Sequence, residues 1–449
     1  MSTRSETLER TPLYETTDKS ELRVACSLQI TSLNDDCLQH ILSFLNSSDV
    51  LNVELVCRRF NLMSQEFWRT FRTFDVTREQ LDFVSVDRPK GRNINVPLCQ
   101  AIFAKCWNNL TKINLSRVER FESRTVMDYL DNCHSVTDFF TNERAPNESF
   151  ICLEKLADCE NIEELWLCRC MIVVSDENLK ELFQRNKKLR FLFLNNYRLI
   201  GECLSHLPLN KLESLFLIRC SWKEPEYLNS VIRRAPYLDT LNFHNLDYFC
   251  LNNLKISSRC LKQLNVVHVW RGAFIPFIDN LDNLTALNCS FNSLDDLNLR
   301  KIIQKCTKLT ALDISLNVDL TNVSLGNLNS LKHLKYLGIA CIESFTDAGL
   351  LLLNHNLQSL NVAKTAFSKG AILTVVKRMQ SLERLDIAYC KQLKNDFVEP
   401  VMDLVELRRN PIPLNIGIRG TSISEMKIKV KSPLVRLTPE LNTNLKKYC

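Results

Sequence analysis

Apolar residues recur along most of the chain in the order apolar-x-x-apolar-x-apolar. The stretch IEELWL, residues 162–167, shows the pattern with Ile162, Leu165 and Leu167. The central apolar position recurs at 113, 139, 165, 192, 215, 241, 264, 287, 312, 337, 360, 385 and 416. Of the 39 apolar sites in these thirteen copies, only Thr141 and Pro413 depart from the rule. At the chain's 45% hydrophobic content, chance would fill roughly 18 of them. Each copy predicts a short strand. The segments between copies predict helices: LRKIIQKC sets Leu299, Ile302, Ile303 and Cys306 on one face, and ILTVVKRM does the same with Ile372, Val375, Val376 and Met379. Ser175 or Asp176, and Thr346, stand where helix caps belong.

Neither the strand nor the helix of such a unit can bury its apolar side alone, so the units must stack. Three residues past the last strand apolar stand Cys170, Cys220, Cys390, Asn292, Asn317 and Thr365. A buried side chain there can satisfy backbone groups at the turn. Cys133, Cys159 and Cys306 fall three before the first strand apolar. With this period and these slots, the chain from about 70 to 424 resembles the cysteine-containing subclass of leucine-rich-repeat proteins. The resemblance implies about thirteen units in a horseshoe, with a parallel sheet on the concave side and helices on the convex side.

Residues 30–70 follow another pattern. Leu38, Ile41, Leu42 and Leu45 share a helix face begun near Asn34 or Asp35. Ser47, Ser48 and Asp49 end that helix and can cap a second carrying Val50, Val53, Val56 and Cys57; a third holds Phe60 and Met63. The stretch, with Leu33, LQHILSFL, SSDVLNVELVCRRF and Phe67-Trp68, resembles the F-box, with Asn34 where that family has Pro and Phe60 where it usually has Trp. The expected fold is therefore α/β, an N-terminal helical F-box module at 28–69 followed by a leucine-rich-repeat solenoid at 70–424. Residues 1–27 are expected to be disordered and 425–449 to form a tail, whose MKIKVK stretch can pair as an edge strand or cross the concave face.

Charge narrows the choice of partner. A formal +6, from 57 basic and 51 acidic residues spread along the chain, marks neither a nucleic-acid nor a membrane partner. The apolar runs fall short of the ~18 residues of a membrane span, and the polar first residues carry no secretion signal. Nineteen cysteines without that signal point to reduced thiols and an intracellular protein, cytoplasmic or nuclear. CxxC pairs, nucleotide-binding glycine motifs and hydrolase motifs are missing from the sequence, so neither metal nor cofactor is expected, and no catalysis. His244 and His268, near Arg219, are read as polar strand residues rather than a catalytic pair.

The F-box resemblance implies docking to the Skp-type adaptor of a cullin–RING ubiquitin ligase core, through Leu33, Leu38, Ile41, Leu42, Leu45, Val56 and Phe60. A ligase-independent interaction scaffold is the alternative. The position between the second and third strand apolars faces the concave side. It reads Trp166, Phe193, Phe216, then Asn242, Asn265, Asn288, Asp313, Gly338, Asn361 and Asp386. Trp166, Phe193 and Phe216, with Phe191 on the same face and Arg169 and Arg219 at the strand exits, are expected to grip a protein substrate.

Overall fold

The computed structural model describes residues 30–75, 84–85, 93–94, 96–114, 153–168, 175–246, 256, 258–268, 281–353, 357–424, 431–439 and 441. The expectations placed on residues 1–27, Cys133, Phe139, Arg169, Cys170 and most of MKIKVK lie outside these. The chain divides into two compact units, Met1–Thr70 and Phe71–Cys449.

The first unit holds α1 (Asp35–Leu42), α2 (Ser47–Glu54) and α3 (Arg58–Thr70). Asn34 caps α1, its side-chain oxygen accepting from the Cys37 amide at 2.8 Å, with Asp35 and Asp36 in the first turn favoured by the helix dipole. The cap of α2 is Asn46, not one of the serines after it. Leu38, Leu42, Phe60 and Met63 form the core, flanked by Leu33, Leu45 and Val53. Arg59 ties α3 to the start of α1 through the Leu33 carbonyl (2.5 Å) and Asp35 (2.6 Å). Buried Trp68 donates its indole N–H to the buried carboxylate of Glu54, joining α3 to α2.

The second unit is built on one parallel sheet of fourteen strands. In chain order they are β1 (Thr73–Asp75), β2 (Lys112–Asn114), β3 (Glu164–Cys168), β4 (Phe191–Asn195), β5 (Ser214–Ile218), β6 (Thr240–His244), β7 (Gln263–Val267), β8 (Ala286–Asn288), β9 (Ala311–Asp313), β10 (Tyr336–Gly338), β11 (Ser359–Asn361), β12 (Arg384–Asp386), β13 (Leu414–Gly417) and β14 (Val435–Thr438). Each pairs with the next in sequence. The central apolar residues lie directly opposite one another, as Leu312 with Leu337 and Leu337 with Leu360. β2 pairs directly with β3, Ile113 opposite Leu165, although the two residues are 52 apart in sequence. The sheet also gains a member the template missed. The last strand is Val435–Thr438, past the MKIKVK stretch expected to pair.

Helices supply the other apolar layer: α4 (Val96–Cys106), α5 (Leu153–Asp158), α6 (Asp176–Arg185), α7 (Glu226–Arg234), α8 (Asp296–Lys305), α9 (Asn322–Asn327), α10 (Asp347–Leu352), α11 (Lys369–Arg378) and α12 (Val398–Glu406). The predicted faces of α8 and α11 are buried, Leu299, Ile302 and Ile303 in one and Ile372, Val375 and Val376 in the other. The first helical residue also joins neighbours. Asp176 accepts from the Gly201 and Cys203 amides, Asp296 from Thr321, Asn322 from Thr346, and Asp347 from Ser368, at 2.8–3.1 Å. Each bond reaches the cap residue of the next unit's helix, or the residue two beyond it.

The strand exits repeat one conformation. The fourth residue after the central apolar is left-handed in ten successive units: Asn196, Arg219, Asn245, His268, Phe291, Leu316, Cys341, Lys364, Tyr389 and Gly420. Nine of the ten donate their amide to a carbonyl of the following unit, at 2.6–3.4 Å. The next residue is the Asn/Cys/Thr slot. Cys220 donates to the Leu194 carbonyl, Asn292 to Val266, Asn317 to Cys289 and Cys390 to Val362, each reaching back one repeat.

Asn317 is the most heavily used. Its oxygen accepts from the Asn292 and Leu294 amides and its nitrogen donates to Cys289 and Ile314. Asn317→Ala orphans these buried groups and should cost at least ~2 kcal/mol. Exposed Lys364→Gly removes only left-handed strain and should cost nothing. Urea melts of both variants test this, and the opposite ranking would contradict the role given to the exit turn.

Candidate partner-binding surfaces

Two surfaces carry the candidate residues, one in each unit. The first is the face of the sheet turned away from the helices, here the open face. β3, β4 and β5 bring Trp166 opposite Phe193 and Phe193 opposite Phe216. The closest ring contacts are diagonal, however. Phe191 sits between Trp166, at 4.1 Å, and Phe216, at 5.0 Å, while Phe193 lies 6.4 Å from Phe216. Ser214, opposite Phe191, is small enough to admit that ring. Lys112 places its ammonium 4.4 Å from the Trp166 ring centroid and is held there by Glu164 at 2.6 Å. Trp166, Phe191 and Phe193 are half-buried, whereas Phe216 is only 7% exposed and forms the floor of the cluster.

Past β5 the same column turns polar. Asn288, Asp313, Asn361 and Asp386 each accept from the amide two residues on, all at 3.0 Å. Asp313 also accepts from the Tyr336 hydroxyl at 2.7 Å, over the buried Ala286 and Ala311. Its carboxylate fills the space beside Gly338, where a Cβ would lie 2.4 Å from Oδ2. Asp386 repeats the arrangement beside Gly417, where a Cβ would meet Asp386 Oδ1 at 2.8 Å and Leu441 at 3.0 Å. Asp386, 1% exposed, lacks a hydroxyl like that of Tyr336, and its Oδ2 is unbonded. Burial pushes its carboxyl up to about 6, against the pull of the Ala388 amide.

At the strand exits beside the rings, Arg219 is half-buried and left-handed. His244 is 7% exposed. Burial, Arg219 and His268 together hold its proton affinity down to about 3, so it stays neutral near pH 7. Seven buried cysteines of the larger unit are desolvated thiols. Burial pushes Cys159, Cys306 and Cys341 up to about 12, and raises Cys106, Cys203, Cys289 and Cys390 as well. Among the described residues no three His, Cys, Asp or Glu side chains are grouped as a metal site would need.

The second surface is on the helical unit, and here the structure corrects the expected contact set. Leu38, Leu42 and Phe60 are core, at 1%, 2% and 8% exposure, and cannot reach a partner without unfolding the unit. Leu33 and Leu45 pack against that core. Only Ile41 and Val56 of the expected residues are exposed. Phe44 (77%) and Leu55 (85%), at the ends of α1 and α2, and Leu62 were missed. The signal was available: Phe44 lies off the helix face shared by Leu38 and Leu42, and a large ring there has no core to join.

Comparison with known proteins gives the helical unit a family. A profile described as F-box-like matches residues 31–73. An uncharacterized protein of Acanthamoeba polyphaga mimivirus is 30% identical over 90 residues, 19% of this chain and 23% of that protein. The aligned part is thus less than a quarter of the relative's length. Among solved structures, one chain of the yeast Rad7–Elc1 complex aligns over 64% of this chain and 78% of its own, at 18% identity and a TM-score of 0.48. A leucine-rich-repeat protein of Leptospira interrogans aligns over 86% and 93%, at 16% identity and a TM-score of 0.43. The chain combines a segment that matches the F-box-like profile with a solenoid-like sheet of parallel strands.

Two variants separate floor from surface. Phe216→Ala should lower stability by ~3 kcal/mol or more, as for other buried rings, whereas half-buried Trp166→Ala should cost ~1 kcal/mol or less in the same denaturant melt. Equal losses would place Trp166 in the core. Asp386→Asn keeps the bond to Ala388 and, like Asn361, buries no charge. The carboxyl proton is held more tightly in the folded chain than in the unfolded one. Its destabilisation therefore sets in above pH ~4, is complete above pH ~6 and reaches roughly 3 kcal/mol. Asp386→Asn should raise the melting temperature at pH 7.5 and leave it little changed at pH 4. A gain equal at both values would show that the carboxylate is not the cause.

Proposed function

We propose that this chain is the substrate-recognition subunit of a cullin–RING ubiquitin ligase. The F-box-like module would dock on a Skp-type adaptor, and the open face of the sheet would hold the protein to be modified. The observation that carries this reading is the F-box-like match at residues 31–73 on a module that leaves large apolar side chains in water. A domain this small gains nothing in folding from exposing Phe44, Leu55 and Val56, and such exposure usually marks a partner surface. The chain itself would supply no catalysis. By holding a target beside a ubiquitin-loaded enzyme it raises the effective concentration of target lysines.

The substitutions that test this are set by the corrected surface. Leu42→Glu would unfold the helical unit and report nothing about docking. Phe44→Glu and Val56→Glu change exposed positions and should leave the fold intact. Burying one such side chain against a partner contributes about 1.5–3 kcal/mol. Each change should therefore weaken adaptor binding about tenfold or more. Tagged wild-type chain should co-purify an adaptor and a cullin, and the double variant should lose both. Wild-type chain that brings down no cullin would sink the proposal.

A further inference from the structure

The ring cluster lies next to an edge of the sheet that carries basic side chains. On the strand-start side, the acids beside the rings are already neutralised, Glu164 by Lys112 at 2.6 Å and Glu213 by Arg190 at 2.8 Å. On the strand-exit side stand Arg219, His244 and His268, contributed by three successive units. The turn conformation fixes them there: Arg219 and His268 are left-handed exit residues, and the Arg219 amide bonds the His244 carbonyl at 2.7 Å. His268 is exposed and held by stacking on Phe291, with ring centroids 4.4 Å apart and planes 16° from parallel. Exposed Arg198 and Lys223 lie on the same edge, Arg198 on a short strand paired with Ser221. The local field at buried His244 is positive enough to help keep its proton off.

We propose that the open face takes an acidic peptide segment of a protein partner, with a large apolar side chain on the Trp166–Phe191–Phe216 rings and an Asp or Glu carboxylate at Arg219 and His268. This rests on the reading of the open face as the partner surface, and it names the chemistry that surface selects. Phe216 and Arg219 are three residues apart on one strand path, about 10 Å at strand rise. An extended peptide spans that distance in about three residues, so the apolar and acidic positions should be about three apart. Arg presents a fork of donors suited to a carboxylate, and such charge-assisted bonds are stronger than neutral ones. Aromatic rings beside Arg could also serve a nucleic-acid strand. A strand, though, needs cations along its whole path, and here the start-side cations Lys112 and Arg190 are already paired with Glu164 and Glu213.

The test is selection of a random peptide library displayed on phage against the full chain, followed by titration of a fluorescein-labelled winner. Selected peptides should pair a large apolar residue with Asp or Glu about three positions away. Arg219→Gln and His268→Glu should each weaken the winner about tenfold. Because His268 is exposed, its variant is informative even if Arg219→Gln folds poorly. Changing the peptide's acid to its amide should cause a similar loss in the wild type and little further loss in the Arg219 variant. Peptides that need Trp166 but show no acidic preference would overturn the charge assignment and leave the open face as the partner surface. Failure to retain any peptide whose binding Trp166→Ala weakens would overturn both. An oligo(dT) strand displacing the peptide more effectively than an acidic polypeptide of equal length would assign the face to nucleic acid and overturn the proposal.

Discussion

Everything in the larger unit depends on how the backbone leaves each strand. A parallel ladder stacked one unit on the next leaves amides and carbonyls at the strand exits that water cannot reach, and each must find a partner. The chain solves this with a left-handed residue followed by a slot residue. The first points its amide at the next unit and the second reaches back to the previous one. The left-handed conformation costs an ordinary residue roughly 1–2 kcal/mol. Glycine fills the position only once among ten units, at Gly420. The other nine keep a side chain, so the column is also a row of side chains along one edge of the sheet. Phe291, Leu316, Cys341 and Tyr389 use it for packing. Arg219 uses it to place a guanidinium, and His268 an imidazole, beside the ring cluster.

The same constraint explains why the strands can be short. From β8 to β12 each strand has three regular residues, yet the ladder continues through the exit amide. On the open face, Asn or Asp at the position after the central apolar bonds the amide two residues on, steering the chain into that turn. A carboxylate in that role needs room, and the two that take it, Asp313 and Asp386, lean over Gly338 and Gly417 of the following strand. Turn geometry, side-chain choice and the glycine of the next unit are thus one linked requirement, propagated unit by unit.

The sequence made this repeat legible because the strand template recurs with little noise, and eleven of the twelve intervals read among its thirteen copies lie between 23 and 27 residues. Where it misled, the reason is local. The last strand went unseen because LVRLT follows a shorter interval than the others. In the helical unit, periodicity found the apolar face correctly, but a face that is apolar does not say whether it meets its own core or a partner. Leu38 and Leu42 meet the core, while the residues left for a partner include Ile41 and Val56 on the pattern and Phe44 and Leu55 off it. Among the rings, the column of Trp166, Phe193 and Phe216 was readable from the period of two. The insertion of Phe191 between Trp166 and Phe216 depends on Ser214, a cross-strand neighbour that only register identifies.

The open face is not uniform, and burial decides where recognition can occur on it. From β9 to β11 the side chains of that face are closed off, as is Asp386 on β12: Asp313, Tyr336, Ser359, Asn361 and Asp386 are each at most 2% exposed, and alanines at 340, 363 and 388 line the exits. These groups are buried, and a partner arriving there would meet little free area. In β3 to β7 the rings of Trp166, Phe191 and Phe193, the amides of Asn242 and Asn265, and the exits at Arg219 and His268 keep part of their surface. Binding energy comes from apolar area and charge that are still solvated before contact. A surface that has already spent these on its own stability cannot contribute them again, which places recognition in the first half of the sheet, on the rings.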